Sequence, residues 1–461
     1  MVNGKITNSG LSQEIIKYYY SSELMLSNGT EEFQNMYCFL SQIEPWDNEN
    51  LPPEPDLSDK GIKSIFKSMF ALKKINIHDM SPVIERIDWK ENTTYEQYSS
   101  ENKNLFDVDS EGKLVNKFYI KNSHDQVFKC LSNGKTINSS NGSVSIQQPI
   151  IDFSYDSTDG YIESNDGYKW KYLYTVDVGS KLKFLDDNWM PLPPPLAKNN
   201  ISTSTIGAGE ITTINIYNTG NNYVDDTGLG ISTTIGITGD GTGATAVAVI
   251  AANTLSRILV TNKGSNYTYA TATISPNLNF TGSGAEIIPE ISPIGGHGYN
   301  LVSELCCKRI MVTFEFNLTE NNTIPTSIDF RQIGLVINPI YISSYASDFN
   351  YNMTSSIFVS PGGGSFTQDE IVFQGTDVEN STFSGRVLNF KDNIIYVINT
   401  IGTLSSNELI KGQSSTTIRV ANSLQEQFIS PFSGEITYVE NRTKVQRSDS
   451  GLEQFRLTIN Y

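Results

Sequence analysis

The sequence predicts an α+β fold, predominantly antiparallel β: a multidomain framework carrying small inserted β modules. Three observations lead there. The chain is rich in Gly (35 residues), Asn, Ser, Thr and Ile and poor in long helical periodicities, a mix that favours short strands joined by turns. Its 461 residues exceed what one ordinary core organises, so about two to four domains are expected. Composition also shifts twice along the chain, over 206–292 and 354–425. The expected layout is therefore an α/β N-terminal framework part (1–90), a β domain (91–205) and an inserted repeat β module (206–292). A return to the framework (293–353), an inserted small barrel-like module (354–425) and C-terminal framework strands (426–461) complete it.

Taken in order, residues 11–27 predict a first helix, with Leu11, Ile15, Tyr18 and Met25 near one face and Asn28-Gly29 as its stop. An apolar strand from Tyr37 to Ile43 runs into Glu44-Pro45-Trp46 and a bend marked by Pro52, Pro53 and Pro55. Ile62, Ile65, Phe66, Met69 and Phe70 then recur at helical spacing, with Lys60, Lys63, Lys67 and Lys73 mostly off that face and Ser58 or Asp59 as N-cap. A second Pro-marked strand ends at Trp89. Phe118–Ile120 and Val127–Leu131 predict a hairpin turning near Asn122 and Ser123. Asp159-Gly160 and Asp166-Gly167 bracket strands, the second of which places Tyr168, Trp170, Tyr172 and Tyr174 on one face. Pro191 to Pro195 form a polyproline-like bend.

Residues 206–292 contain an internal repeat. ITTINIYNTGNNY (211–223) returns as LSRILVTNKGSNY (255–267), matching Gly220 with Gly264 and Tyr223 with Tyr267. GTGATA (241–246) returns as GSGAEI (282–287), and two such units are expected to share one core. Beyond it, 310–316 and 329–339 predict core strands. In the second insert, DEIVFQG (369–375) and NELIKG (407–412) predict corresponding strands of a small barrel, with a hairpin around Lys391-Asp392-Asn393. Two strands joined by a polar loop end the chain.

A net charge of −17 argues against a phosphate-tracking surface, which needs clustered Lys and Arg, and against an anionic membrane surface. No run reaches the roughly 18 apolar residues of a membrane span, and MVNGKITNSG lacks an apolar signal core. Cys38, Cys130, Cys306 and Cys307 show no C-x-x-C spacing, so packed, reduced thiols in a chain assembled in a cytoplasm are expected.

Several patches together carry a family likeness. Glu44-Pro45-Trp46, Pro52-Pro53, the helix, Val83-Ile84, Arg86, Asp88-Trp89, Tyr95 and Tyr98 come first. Asp166-Gly167-Tyr168-Lys169-Trp170-Lys171-Tyr172-Leu173, Phe330-Arg331-Gln332-Ile333, Asn338-Pro339 and Tyr438-Val439-Glu440-Asn441-Arg442 follow in the same order. In this the chain resembles the dimeric wedge subunit of contractile-tail bacteriophage baseplates of the T-even type, with the two inserts as departures. The resemblance implies a mixed α and β framework with a largely antiparallel β domain. It further implies a homodimeric virion structural protein bound to other wedge proteins, and no active site or cofactor to carry over. A host-surface or glycan-binding tail module is the alternative, and a polysaccharide-degrading tail enzyme a third reading. Since the flanking patches carry the likeness, deletion of 206–292 is expected to leave a soluble dimer.

Other motifs point to ordinary structure. Gly134-Lys135-Thr136 imitates a phosphate loop, but Lys129 stands where its first Gly belongs. Asp107, Asp109, Glu111 and Gly112 imitate a calcium loop whose twelfth position is Phe118 instead of Glu, so a polar turn is expected and no metal site. His78, His124 and His297 are isolated, with hydrogen-bonded structural roles expected, and the turn around His297 is set by its glycines. Asp152, Asp156, Asp159, Glu163 and Asp166 could hold a glycosidase pair but read as turn acids. The Tyr168–Tyr174 stripe reads as a buried face in preference to a sugar platform. Trp46, Pro52 and Pro53 are the candidate partner-contact residues, because Trp anchors interfaces and a proline-stiffened bend loses little entropy on docking.

Overall fold

The computed structural model describes residues 4–6, 35–41, 45–152, 160–193, 209–223, 231–274, 282–316, 328–446 and 453–460. The expected first helix (11–27), Glu44, Asp156 and Asp159 lie outside them. Strand outweighs helix, 51% against 7%, and the sheets are mostly antiparallel, as the composition implies. The chain forms two compact units: Met1–Met80 with Ile310–Tyr461, and Ser81–Arg309 between them in sequence.

The first unit is organised around strand Met36–Ser41, which is buried along its whole length. It lies inside a six-stranded sheet between Phe330–Ile337 and Met69–Lys74, with Glu435–Val445 and Gly4–Ile6 beyond on one side and Asn350–Asn352 on the other. Alternate side chains of a strand face opposite ways. Tyr37 and Phe39 accordingly pack with helix residue Ile65 and with Leu72, Val336 and Val439. Cys38 and Leu40 pack on the other face with Ile310, Val312, Phe314 and Leu457. Burial on both faces explains why this stretch reads as one apolar run.

Helix Asp59–Ser68 begins where expected, the Ser58 hydroxyl accepting from the Gly61 amide at 3.2 Å. It ends sooner than its spacing predicts. Met69, Phe70 and Lys73 belong to strand Met69–Lys74, paired with the central strand through Leu40↔Ala71 and Cys38↔Lys73. Met69-Phe70-Ala71-Leu72 fits helical and strand periods alike, and the open edge of Met36–Ser41 decides the outcome. Ser68 closes the helix, donating to the Ser64 carbonyl and sharing a 2.7 Å hydrogen bond with Ser41.

Residues 355–425 close into a six-stranded barrel ordered Ser355–Val359, Ile394–Gly402, Ser381–Lys391, Ile371–Gly375, Glu408–Gly412, Ile418–Gln425. Asp392 and Asn393 both adopt positive φ, the two-residue hairpin geometry that Asp and Asn tolerate. The DEIVFQG and NELIKG strands meet through Val372↔Gly412 and Phe373↔Lys411.

The second unit holds a four-stranded sheet ordered Tyr119–Lys121, Gln126–Asn133, Tyr168–Thr175, Ile162–Glu163. Tyr168, Trp170, Tyr172 and Tyr174 are buried, and the Tyr168 and Trp170 rings stack at 5.2 Å. The repeat occupies matching structures. Gly220 and Gly264 share a φ of 63°, and the Tyr223 and Tyr267 hydroxyls accept from the Ala285 and Ala244 amides, each at 3.3 Å. Each tyrosine ring lies where a Cβ on Gly282 or Gly241 would stand, which explains the paired glycines. Both copies contribute to one core through Ile214 and Ile258.

The repeat module meets the second face of the Gln126–Asn133 and Tyr168–Thr175 strands through polar groups. Lys169 Nζ donates to Thr213 Oγ1 at 2.8 Å, and Asn215 Nδ2 to the Leu131 carbonyl at 2.8 Å. Arg257 pairs with Glu163 at 2.9 Å. Lys129, Lys169 and Lys171 are all buried. No helix among the described residues is long and apolar enough to cross a membrane.

Candidate functional site

The proline bend is tied down by residues distant in sequence. Trp46 is half-buried, its indole Nε1 donating to the Arg442 carbonyl at 2.9 Å. Exposed Pro53 accepts from Asn441 Nδ2 at 3.0 Å, and Asn441 Oδ1 accepts from Gln332 Nε2 at 2.7 Å. Buried Arg331 reaches Glu49 at 2.8 Å. Arg442 pairs with Glu440, whose other oxygen accepts from the Tyr438 hydroxyl at 2.8 Å. Burial and the Glu440 charge push the Tyr438 phenol well above its ordinary range. Pro52 is half-buried and Pro55 buried, so the bend is fixed at several points, while Leu51 just before them stands 75% exposed.

A corresponding joint holds the second unit. Arg86 pairs with Asp88 and donates to the Asp186 carbonyl at 2.8 Å. Trp89 Nε1 donates to Ser145 Oγ at 3.0 Å. The Tyr168 hydroxyl accepts from the Tyr95 amide at 3.0 Å and donates to the Ser143 carbonyl at 2.7 Å, while the Tyr95 ring meets Trp170 edge-on. Asp166 holds its turn by accepting from the Ile146, Gln147 and Tyr168 amides and the Ser164 hydroxyl. Burial pushes its carboxyl up, but those donors bring it below the ordinary range.

Beneath the repeat module lies a sealed ionic cluster. Lys129 donates to Glu304 Oε1, which also faces His297 Nδ1 at 3.1 Å, while Glu304 Oε2 accepts from the Gly298 amide at 2.6 Å. The Lys129 ammonium stands 3.7 Å over the Tyr98 ring. Burial lowers the His297 pKa to about 4, helped by the Lys129 charge, so the ring is neutral at pH 7. Nδ1–H then donates to Glu304, and Nε2 accepts from the Thr212 hydroxyl at 3.0 Å. Burial alone would raise Glu304, yet Lys129 and His297 outweigh it and bring the carboxyl to about 2. The cluster is an internal clasp whose buried members bond to one another.

Close by, Glu290 accepts from the Ser100 amide at 3.0 Å, and burial raises its pKa from 4.5 to about 8. A carboxyl with a raised folded pKa contributes stability that is complete below the unfolded value and lost as pH climbs to the folded one. Glu290→Gln removes that dependence. Its thermal midpoint relative to wild type is expected to climb between pH 4.5 and about 8 and to level off above. A pH-independent difference would show that Glu290 ionises normally in the folded chain.

Trp46, Pro52 and Pro53 thus share one joint. The imitated calcium loop is a turn in which Asp109 Oδ1 accepts from the Glu111 and Lys113 amides. Lys135 of the imitated phosphate loop pairs with Glu96 at 3.1 Å. Three glycines around His297 adopt positive φ: Gly295, Gly296 and Gly298. Cys38, Cys130 and Cys307 are buried, and none of the four cysteines is in a disulfide. Glu304 lies in no motif, and neither the phosphate-loop comparison that names Lys129 nor the likeness patch that contains Lys169 and Lys171 marks those lysines as buried. The available signal was a Glu between apolar residues in Leu301-Val302-Ser303-Glu304-Leu305. No protein-family model matches the chain, and no curated protein matches its sequence.

Proposed function

We propose that this chain is a structural subunit of a bacteriophage tail baseplate wedge, homodimeric, which holds other wedge proteins in register and rearranges with them on tail contraction. It is a component of the virion, assembled in the host cytoplasm, with no catalytic step or cofactor of its own. The observation that carries the reading is the convergence of the patches that bear the family likeness. Pro45-Trp46, Pro52-Pro53, Phe330–Ile333 and Tyr438–Arg442, separated by hundreds of residues, meet in one hydrogen-bonded joint. Asp88-Trp89, Tyr95 and Asp166–Leu173 make up a second. Residues so placed maintain a shape, which is what a docking subunit must present to its neighbours. Trp46, Pro52 and Pro53 supply the anchored part of that surface.

The test is co-purification. Expressed with the other tail proteins of its phage, the full chain is expected to enter a complex of fixed ratio containing two copies of itself. A chain that ignores those proteins removes the reading. Trp46→Ala should weaken that complex while leaving the fold intact, since one hydrogen bond and a half-buried ring are lost.

A glycan-binding role is the second reading, favoured by an open groove of about 640 Å³ on the barrel, where Phe373 and Lys411 face Asp377 and Glu379. Binding of host-surface polysaccharide that is lost on Lys411→Ala would support it.

A further inference from the structure

We infer that the aromatic surface formed by residues 340–349 and 428–432, on which Asp348 is the one charged side chain, is where two copies of this chain pair. The inference rests on the homodimer reading above and gives that dimer its surface.

Backbone geometry is the first reason. Among the described residues most non-glycine positive-φ positions are Asn or Asp, which tolerate that conformation. Ile342 (φ 57°) and Phe432 (φ 59°) are the two large apolar exceptions, and both lie on this surface. Ile342 occupies the tip of a hairpin between strands Ile340–Tyr341 and Ser344–Tyr345. Two-residue turns of this kind favour Gly, Asn or Asp, and a β-branched side chain is the worst fit. Ile342 is also 70% exposed, so burial within its own chain does not offset the strain. An apolar residue held in an unfavourable conformation and pointed at water is accounted for by something that covers it.

Its surroundings extend the patch. The Ser430 amide donates to the Ile340 carbonyl at 2.8 Å, Tyr341 bridges to Ile429, and the Tyr341 and Phe428 rings lie 6.0 Å apart. Around that seam Tyr345, Phe349, Phe428 and Phe432 are each about half exposed or more. Beneath it Ala346, Tyr351 and Ile429 belong to the core, so the patch has a rigid base.

Charge selects the occupant. In a two-fold pair the same patch meets itself, so charges of one sign on it are brought near one another. On a chain of net charge −17 most surfaces would set carboxylates against carboxylates. Residues 427–434 carry no ionisable side chain, and between 336 and 352 Asp348 is the one carboxylate. Lys74, whose Nζ donates to the Ser347 carbonyl at 3.2 Å, stands beside it. This surface can meet a second copy with Asp348 as its one carboxylate, leaving chiefly the long-range repulsion of two acidic bodies, which salt screens.

Ile342→Gly separates the two roles the residue could have. It relieves the turn and removes the apolar tip, so the thermal midpoint of the full chain should hold or rise while self-association weakens on the order of tenfold or more. Sedimentation equilibrium of the full chain reads the association, and dimerisation of the wild type should strengthen with salt. Tyr345→Ser, away from the strained position, should weaken pairing in the same way, and Ile294→Asn, in the other unit, should leave it unchanged. If the wild type dimerises and both patch variants dimerise as tightly, the surface is wrong and the homodimer reading stands. If the wild type is monomeric throughout, both fall. A lower midpoint for Ile342→Gly would mean that the tip serves its own fold, which also overturns the inference.

Discussion

Glu304→Gln is expected to destabilise the protein by about 3–5 kcal/mol at pH 7, because it leaves Lys129 buried without its counter-charge. Lys129 is fully buried, and with Glu304 gone its ammonium keeps only the Tyr98 ring and partners too weak to replace a carboxylate. The loss should shrink towards alkaline pH. A lysine whose folded pKa is depressed is destabilising below its ordinary value of 10.5 and regains stability as pH rises, since the neutral amine is easily buried. Pairing Glu304→Gln with Lys129→Met should recover most of the loss, because removing both charges of a buried pair is often neutral or stabilising and the Gln amide oxygen can still accept from the Gly298 amide. Denaturant unfolding of the four proteins in the cycle gives the coupling directly. A Glu304→Gln variant within about 1 kcal/mol of wild type would place the pair in the weak, exposed class and contradict the burial.

Deletion of 206–292, bridged by a short linker, should yield a soluble chain whose second unit still folds. The sequence leads to that outcome because the flanking patches carry the likeness, and the contacts supply a physical reason. The face the module covers carries buried lysines: Lys169 meets it through Thr213, Lys171 lies near Lys263 and Glu210, and Asn215 donates to the Leu131 carbonyl beside them. Uncovered lysines are hydrated, and an uncovered aromatic face would aggregate. The aromatic face, with Tyr168, Trp170 and Tyr174, keeps its own cover in the Tyr95 ring and the Pro191 carbonyl. In the intact chain burial, with Lys263 nearby, lowers the Lys171 pKa to about 8. Deletion should return it towards 10.5, read as the pH dependence of its acylation. Glu304→Gln should also cost less than about 1 kcal/mol in the deleted background, where water reaches the pair. Aggregation of the deletion, or a Lys171 that titrates as before, would show that the module belongs to the core.

The parts of the fold legible in the sequence were those set by local chemistry. Ser58 caps its helix, Asp392-Asn393 turns its hairpin, and Gly220 and Gly264 repeat because both tyrosines need room. Where one stretch satisfied two periods, as at Met69-Phe70, the decision belonged to a strand elsewhere, and the helix was read too long. The lysines of KWKYLY were hidden for a related reason. Alternation with aromatics reads as a wet face, and only the docking of a distant module turns that face inward. The joint at Trp46 was half visible. Trp beside prolines pointed to an anchored bend, but its hydrogen-bond partner lies 396 residues away, beyond the reach of local pattern.

The route of the chain through its two units has a consequence for synthesis. Strand Met36–Ser41 is made early, yet one of the two strands that flank it, Phe330–Ile337, leaves the ribosome nearly three hundred residues later. All of Ser81–Arg309 emerges in the interval and can finish folding while the earlier segment still waits, its apolar edge open to whatever it meets. A nascent chain stalled before residue 330 should therefore present a protease-resistant middle and a sensitive beginning, and that beginning is where a chaperone would be recruited.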